Sequence, residues 1–432
     1  MTWFRTLIAA FSLTLLTAAA QPRPPRDSLD AVARDYVRLV LEMGERDDGY
    51  VDAYYGPAEW RAAARANPRT LPQLAAAAEA LAARLGDGPE PRGNTPAQLR
   101  PAFLRAQIRA LSARIRQLRG ERLSFTEEAR EIYGLELNLR PLTDFDPVLA
   151  RIDALVPGDG PLAGRVDALM DRFVIPAGRL DAVMRAAIAE CRRRTVAHIS
   201  LPAGEAFTLE FVTGRSWSGY NWYQGNYHSL IQVNTDQQVR MGRAIDLGCH
   251  EGYPGHHAYN MLLERDLARG RGWVEYMVYP LYSPQSLIAE GSANYGIQLA
   301  FPGDERLAFE TRILYPLAGL PSDGAAIYLR VQEAIKLLGG ARFVIARDLL
   351  EGRISRERAI ELTQHYALMS RPRAEQSIAF TEHYRAYVIN YGLGEEMVKA
   401  AVEARGRRPA DRWRRLRQIL SEPTLPDDLA RR

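Results

Sequence analysis

Histidine and glutamate side chains crowd into one short stretch of the sequence, residues 248–260, which reads GCHEGYPGHHAYN. Eight positions of this stretch hold His250, Glu251, His256 and His257, and so three of the seven histidines of the chain. Imidazole nitrogens and carboxylate oxygens are ligands that zinc takes in proteins, and a catalytic zinc site keeps three protein ligands and one open position. The stretch therefore predicts a metal site.

The order of the first two residues, His250 and then Glu251, is typical of metallopeptidases. In that arrangement the histidine binds the metal, and the adjacent glutamate takes the proton of the water molecule that attacks. A third ligand must come from another helix, and SLIAEGSANYG offers Glu290 among apolar and small residues that predict a buried helix. Because a lone buried carboxylate is very costly, Glu290 needs a partner such as a metal ion.

Three segments together resemble a known family. HEGYPGHH at 250–257, EGSANYG at 290–296 and YRAYVINYGLG at 384–394 are similar to the bacterial domain-of-unknown-function family 885, whose hallmark is HExxPGHH followed by EGxAxY. The resemblance covers most of the chain after its first twenty residues. It implies a relationship to all-helical zinc peptidases with a HExxH helix and a downstream glutamate, and hence a zinc-dependent peptidase. The chain departs from the family at Ser292, where tryptophan is common, which leaves Glu290 untouched.

The spacing of the histidines leaves two geometries open. On an unbroken helix His257 lies on nearly the same face as His250 but about 10 Å further along the axis. A proline in a helix removes a backbone donor and clashes with the preceding turn, so Pro254 can form a bulge that returns His256 to the metal. Gly255-His256 also resembles the HExGH spelling of helical zinc peptidases. We predict that His250, His256 and Glu290 are the zinc ligands. His257 would then either support a ligand from the second coordination shell or face the substrate, and it is the alternative to His256 as a ligand.

The C-terminal segment supplies candidates that contact the substrate. A tetrahedral oxyanion requires a hydrogen-bond donor besides the metal. The Y-x-x-G pattern of the family matches Tyr391 and Gly394, so the resemblance implies Tyr391 as that catalytic donor. A core tyrosine on an amphipathic helix is the alternative interpretation. Arg385 and Tyr387 are candidate substrate-binding residues from the same segment.

A predicted strand at 227–234 lies directly before the histidine cluster in the sequence. We expect it to be an edge strand that pairs with the backbone of a peptide substrate by strand addition. Alternating side chains of such a strand would then line the cleft, and His228 is the substrate-binding candidate among them.

The elements around these residues are mainly helical. Apolar residues recur with a period of 3.6 behind the candidate cap Ser28, and long segments rich in Ala, Leu and Arg continue the pattern. The helices predicted after the first one span 57–85, 97–119, 162–199, 323–350, 355–368 and 373–404. Residues rich in β-branched and aromatic side chains predict strands at 207–212 and 227–235. We therefore expect a mainly α, multi-helix, zinc-peptidase-like fold with a small β-hairpin or sheet before the metal-binding helix.

Composition narrows the class of protein. The 432 residues are 47% hydrophobic and 25% charged, which is ordinary for a globular enzyme. The net charge of +4 is a weak signal, and we interpret the arginine clusters as solvated surface, so no nucleic-acid partner is predicted. Two cysteines, Cys191 and Cys249, are expected to be buried free thiols because a chain of this size needs no covalent staple.

The first twenty residues have the pattern of a secretory signal peptide, with a positive start, a short apolar core and small residues before Gln21. We expect cleavage near Ala20 and a periplasmic or secreted protein, although an uncleaved N-terminal anchor fits the same residues. No later stretch is apolar for long enough to predict a membrane span in the mature chain. Behind the signal peptide we expect an N-terminal helical region, 21–199, and a catalytic region, 200–432, that form one compact unit.

The function that follows is a zinc-dependent hydrolase that cleaves peptide bonds with Glu251 as the general base. Two other classes stay open: a zinc-dependent amide hydrolase for a non-peptide or cell-wall substrate, and a non-catalytic exported metal-binding protein. An intact Glu251 disfavours the second of these. The segment GRSWSG at 214–219 lacks the spacing of a G-x-S-x-G nucleophile elbow, so a serine hydrolase is excluded.

Overall fold

The computed structural model describes residues 28–86, 93–215, 217–406 and 408–431. Helices dominate these residues and the strands form two small sheets, which confirms the prediction of a mainly α fold. The predicted signal peptide, 1–20, lies outside the described residues. Among the helices that are described, none has both the length and the apolar character that a bilayer crossing requires.

The N-terminal part of the chain contains eight α-helices among the described residues. They are α1 (Leu29–Gly44), α2 (Ala58–Ala66), α3 (Leu71–Leu85), α4 (Pro96–Leu118), α5 (Phe125–Tyr133), α6 (Asp146–Leu155), α7 (Leu162–Asp171) and α8 (Leu180–Val196). The first begins as predicted, because the side chain of Ser28 accepts a hydrogen bond from the backbone N–H of Ala31 and caps the helix.

The C-terminal part of the chain contains the other twelve α-helices of the described residues. They are α9 (Met241–Leu247), α10 (His256–Leu263), α11 (Pro284–Ala300), α12 (Glu305–Phe309), α13 (Tyr315–Ala318), α14 (Ala325–Lys336), α15 (Gly339–Leu350), α16 (Arg356–Tyr366), α17 (Arg371–Tyr384), α18 (Ile389–Glu403), α19 (Pro409–Ser421) and α20 (Pro426–Arg431). Short 3₁₀ and π-helical turns join several of them.

Several predicted helices are broken in two. The segment predicted at 57–85 divides into α2 and α3 around Pro68, and the segment at 162–199 divides into α7 and α8 around Pro176. Proline removes a backbone donor and disfavours the helical conformation of the residue before it, so both breaks have a local cause.

Two small sheets accompany the helices. The strands are β1 (Val51–Tyr54), β2 (Ala206–Val212), β3 (Gly219–Gly225), β4 (His228–Asn234) and β5 (Val278–Pro280). β1 pairs with β5 antiparallel, and the other three form a sheet in the order β2-β4-β3, in which β4 runs parallel to β2 and antiparallel to β3. The predicted sheet before the metal-binding helix is therefore present.

The prediction that the strand at 227–234 is an edge strand was wrong. β4 is the central strand, because β2 pairs with it from Ala206 to Val212 and β3 pairs with its other side. Its backbone donors and acceptors are thus engaged on both sides and cannot accept a further strand. The sequence of β3 is rich in Gly, Tyr and Trp and has the composition of a turn. For this reason β3, which pairs with the second side of β4, was not predicted as a strand.

The core of the protein extends from Val32 in α1 to Leu429 in α20. α11 lies within it, has most of its residues buried, and packs against α18. A side chain on Gly291 would place its Cβ 2.3 Å from the carbonyl oxygen of Gly394, so the two helices approach at a distance that only glycine permits. This close crossing brings the C-terminal segment next to Glu290.

The expectation of two free thiols was wrong, because Cys191 and Cys249 form a disulfide. α8 packs against the turn that carries Cys249, and the two Cα atoms lie 5.4 Å apart, within the range that a disulfide requires. The bond connects α8 to the residue directly before His250.

Candidate functional site

The helix that carries His250 ends in the middle of the histidine cluster. α9 continues as a π-helical turn, Gly248–Gly252, and the next helix begins only at His256. Between them the Tyr253–Pro254 peptide bond is cis, and the N–H of Gly255 donates to the carbonyl oxygen of Cys249. A Cβ on Gly255 would lie 1.8 Å from the carbonyl oxygen of His250, so the chain can return this closely only with glycine there.

Three ligand atoms converge at this break. The Nε2 atoms of His250 and His256 lie 3.1 Å apart, and Oε2 of Glu290 in α11 lies 3.2 Å from the first and 3.7 Å from the second. For a tetrahedral zinc ion with ligand bonds of about 2.1 Å, the distance between two ligand atoms is roughly 3.4 Å. The spacing of the three atoms therefore fits one zinc ion.

The charge of Glu290 is coupled to those of the two histidines. Burial acts to lower the pKa of His256, but the carboxylate of Glu290 outweighs it and raises that pKa to about 9. Burial acts to raise the pKa of Glu290, but the charge of His256 and the neighbouring His250 outweigh it and lower that pKa. Oε2 of Glu290 is buried and accepts no hydrogen bond from the described residues, which leaves it available to a metal ion.

Neighbouring side chains orient the candidate ligands. The Nδ1 atom of His250 hydrogen-bonds to Oδ1 of Asn294 at 2.9 Å, and the amide nitrogen of Asn294 donates to the carbonyl oxygen of Tyr391. This contact leaves the lone pair of Nε2 of His250 free to bind a metal. The hydroxyl of Tyr387, a predicted substrate-binding residue, donates to Oε1 of Glu290 at 2.8 Å.

Glu251 is buried, and its charge interacts with that of His256. Its backbone oxygen accepts a hydrogen bond from the side chain of Asn221 in β3 at 2.7 Å. A Cβ on Gly219, at the start of β3, would lie 2.8 Å from Oε1 of Glu251. Any larger residue at this position would therefore collide with the carboxylate of Glu251. The outer strand of the sheet therefore positions Glu251.

Tyr391 lies near the same centre. Its ring centroid is 5.8 Å from that of Tyr387, and its side chain is half-buried. Burial, together with the charge of Glu290, raises the pKa of Tyr391 well above its usual value. Like an ordinary tyrosine it is protonated at neutral pH, so its hydroxyl can act as a hydrogen-bond donor.

His257 points away from His250 and His256. It is fully buried. Its Nδ1 atom lies 2.7 Å from the hydroxyl of Ser229, and its Nε2 atom donates a hydrogen bond to Glu205 at 3.1 Å. Burial lowers the pKa of His257. These contacts have the residue types of a Ser-His-Glu triad, but Ser229 and His257 have no exposed surface, so no substrate can reach them.

Two predicted substrate-binding residues make contacts elsewhere. The nearest polar partners of His228 are Thr208 and Gln224 in the three-stranded sheet. The guanidinium of Arg385 binds the buried carboxylate of Glu128 and the carbonyl oxygen of Leu123. A buried carboxylate requires a counter-charge, and Arg385 supplies it to Glu128.

Two residues near the site were missed by the sequence analysis. Asn294 follows Glu290 by four residues and so shares its helix face, a spacing that was visible in the sequence. Asp52 lies in β1, where its carboxylate interacts electrostatically with His256, Glu290 and Glu251. Burial, in the first place, raises the pKa of Asp52 to about 6. About 200 residues separate it from the histidines, so no local pattern marks it.

Comparison with known proteins shows relatives by fold alone. No family model and no curated protein matches the chain. A putative lipoprotein from Colwellia psychrerythraea has 16% sequence identity over 82% of this chain, with a TM-score of 0.52, and the chain spans 65% of that protein, slightly less than two thirds. A putative lipoprotein of unknown function from Shewanella oneidensis has 14% identity, covers 93% of this chain and 89% of its own, and has a TM-score of 0.47.

An M32 carboxypeptidase from Deinococcus radiodurans R1 has 13% identity, covers 91% of this chain and 88% of its own, and has a TM-score of 0.35. The Colwellia protein shares the overall fold, and its identity is too low to transfer a function.

Proposed function

We propose that the protein is a zinc-dependent hydrolase that cleaves peptide bonds. The observation that supports the proposal is the convergence of Nε2 of His250, Nε2 of His256 and Oε2 of Glu290 within 4.8 Å of one another. Two imidazole nitrogens and one carboxylate oxygen are a ligand set of catalytic zinc sites, which leave a fourth position for water or substrate. Resemblance of HEGYPGHH and EGSANYG to family 885 supports the same assignment.

The residues around these ligands account for the chemical steps. When bound, a zinc ion lowers the pKa of a water molecule and polarises the scissile carbonyl. Glu251 takes the proton of the attacking water and passes it to the leaving amine. The hydroxyl of Tyr391, which is protonated at neutral pH, donates to the developing oxyanion.

Asn294 and Tyr387 hold the site in its geometry. Asn294 fixes the ring of His250 through Nδ1, and Tyr387 fixes the carboxylate of Glu290 through Oε1. Such contacts prevent the ligands from rotating away from one common point.

The protein is further proposed to be exported, since its first twenty residues have the pattern of a signal peptide and the Colwellia relative is described as a putative lipoprotein.

The experiment combines metal analysis with a test of activity. The purified protein, its Glu290→Ala variant and a control, Glu79→Ala, which removes an exposed carboxylate of α3, are analysed for zinc and incubated with a random peptide library. We expect one zinc ion per chain and new peptide termini by mass spectrometry for the wild type and the control, and neither for Glu290→Ala. Hydrolysis of non-peptide amides alone, or peptide cleavage without bound metal, would overturn the proposal.

A further inference from the structure

Asp52 occupies an irregular position in the small two-stranded sheet. Val51 pairs with Pro280 and Ala53 pairs with Tyr279, so the register shifts at Asp52 and leaves it without a partner residue in β5. An irregularity of this kind re-aims the side chain of the extra residue, and such features are common beside active sites. β1 also packs against β3, the strand that positions Glu251.

The carboxylate of Asp52 is held by a hydrogen bond to one of its two oxygens. The hydroxyl of Tyr220 in β3 donates to its Oδ1 at 3.0 Å. Oδ2 accepts no hydrogen bond from the described part of the chain, and no arginine, lysine or histidine in that part forms an ion pair with Asp52 within 4.0 Å. His256 contributes a positive charge nearby, which acts to lower the pKa of Asp52, but Oδ2 remains available to a hydrogen-bond donor that arrives from outside.

The position of Asp52 places that group beside the proposed reaction centre. Its charge interacts with those of His256, Glu290 and Glu251, whereas it does not belong to the three residues whose ligand atoms converge. Tyr220, which holds it, also interacts electrostatically with Glu251. Asp52 is therefore near the metal-ligand residues without being available as a fourth ligand at the same point.

We propose that Asp52, oriented by Tyr220, binds a cationic group of the peptide substrate next to the scissile bond. This inference rests on the proposed peptidase function and names the substrates that the enzyme prefers. The cationic group is either the free α-ammonium of the first residue or the side chain of a lysine or arginine. Both are hydrogen-bond donors that a carboxylate binds through charge-assisted hydrogen bonds.

The test compares matched peptides that differ in one charge. In the first pair, a peptide without lysine or arginine has either a free or an acetylated N-terminus. In the second pair, an acetylated peptide carries either lysine or norleucine next to the cleaved bond. The wild type, Asp52→Asn and Asp48→Asn are assayed with all four, because Asp48 is an exposed aspartate of the same segment. Zinc content is measured for each protein.

We expect the wild type to prefer the charged member of at least one pair, and that pair identifies the source of the positive charge. Asp52→Asn should lower kcat/KM for that charged peptide by about tenfold or more, the usual effect of losing a hydrogen bond to a charged group. Its activity on the neutral peptide and its zinc content should remain close to those of the wild type and of Asp48→Asn. Tyr220→Phe, which leaves the charge but removes its hydrogen bond, should cause a smaller loss on the same peptide.

Other outcomes would overturn the inference. Equal losses on charged and neutral peptides, or loss of zinc from Asp52→Asn, would show that Asp52 supports the metal centre and not the substrate. Equal cleavage of all four peptides by the wild type would contradict the inference while leaving the peptidase function intact. Failure of the wild type to cleave any peptide would contradict the proposed function itself, and this inference with it. If Asp52→Asn does not fold, the same comparison with Tyr220→Phe decides the matter.

Discussion

The Nε2 atoms of His250 and His256 lie 3.1 Å apart, although the helix that carries the first ends before the second begins. On a continuous helix, residues six apart point in different directions, because each residue turns by about 100°. The break at residues 253–255 removes this restriction and returns His256 to the face of His250. Because Pro254 and Gly255 interrupt the helix, ligand atoms of His250, His256 and Glu290 converge at one point.

A change at Glu251 separates metal binding from the chemical step. Glu251→Gln keeps the shape of the side chain but removes the proton acceptor. Zinc content should therefore equal that of the wild type, while kcat falls by roughly two orders of magnitude or more. Elemental analysis and steady-state kinetics measure the two effects. Wild-type turnover in this variant would remove Glu251 from the mechanism.

Asn294 should influence the metal without binding it. Asn294→Ala removes the hydrogen bond to Nδ1 of His250, which fixes the ring and its tautomer. Loss of such a supporting contact typically weakens metal binding by about 10- to 100-fold. Competition with a chelator measures the zinc affinity, and Asn234→Ala, whose amide donates to the backbone oxygens of Arg215 and Trp217, is the control. Unchanged affinity in Asn294→Ala would show that the contact does not hold His250 in place.

The buried carboxylate of Glu205 should make stability depend on pH. Burial acts to raise its pKa, but hydrogen bonds from His257, Tyr253 and Arg192 outweigh it and lower the pKa from 4.5 to about 2. Because the pKa is lower in the folded protein, the stabilisation is fully present above pH 4.5 and is lost as the pH falls towards 2. The contribution at neutral pH is of the order of 3 kcal/mol.

Urea denaturation of the wild type and of Glu205→Gln between pH 7 and pH 3 measures this contribution. The free energies of unfolding should differ most at pH 7, and the difference should shrink below pH 4.5. Glu210→Gln, an exposed position on β2, is the control. A difference that stays constant over the whole range would mean that the charge of Glu205 does not stabilise the fold.

The disulfide should stabilise the fold beside the site. Cys191 and Cys249 are 58 residues apart, and closing a loop of that size removes much conformational freedom from the unfolded chain. Replacing both cysteines by alanine should lower the free energy of unfolding by roughly 2–5 kcal/mol. Denaturation of the oxidised wild type and of the double variant measures the effect. Equal stability of the two proteins would show that packing of α8 alone holds this contact.

The local part of this architecture was predictable from the sequence. Period and capping predicted α1, and a proline between ligands predicted that the helix breaks before His256. The contacts that depend on distant segments were not predictable. The disulfide requires α8 to pack beside Cys249, and Asp52 reaches the site only because β1 packs against β3. β4 could not be recognised as the central strand, because its second neighbour, β3, has the composition of a turn.

The zinc content of His256→Ala and His257→Ala tests the central claim most directly, since these residues are adjacent and both are imidazoles. His256 faces His250 and Glu290, whereas His257 is engaged by Ser229 and Glu205. After purification without chelators, elemental analysis should find no zinc in His256→Ala and zinc close to the wild-type level in His257→Ala. Zinc retained by His256→Ala and lost from folded His257→Ala would contradict the account and assign the metal ligand to His257.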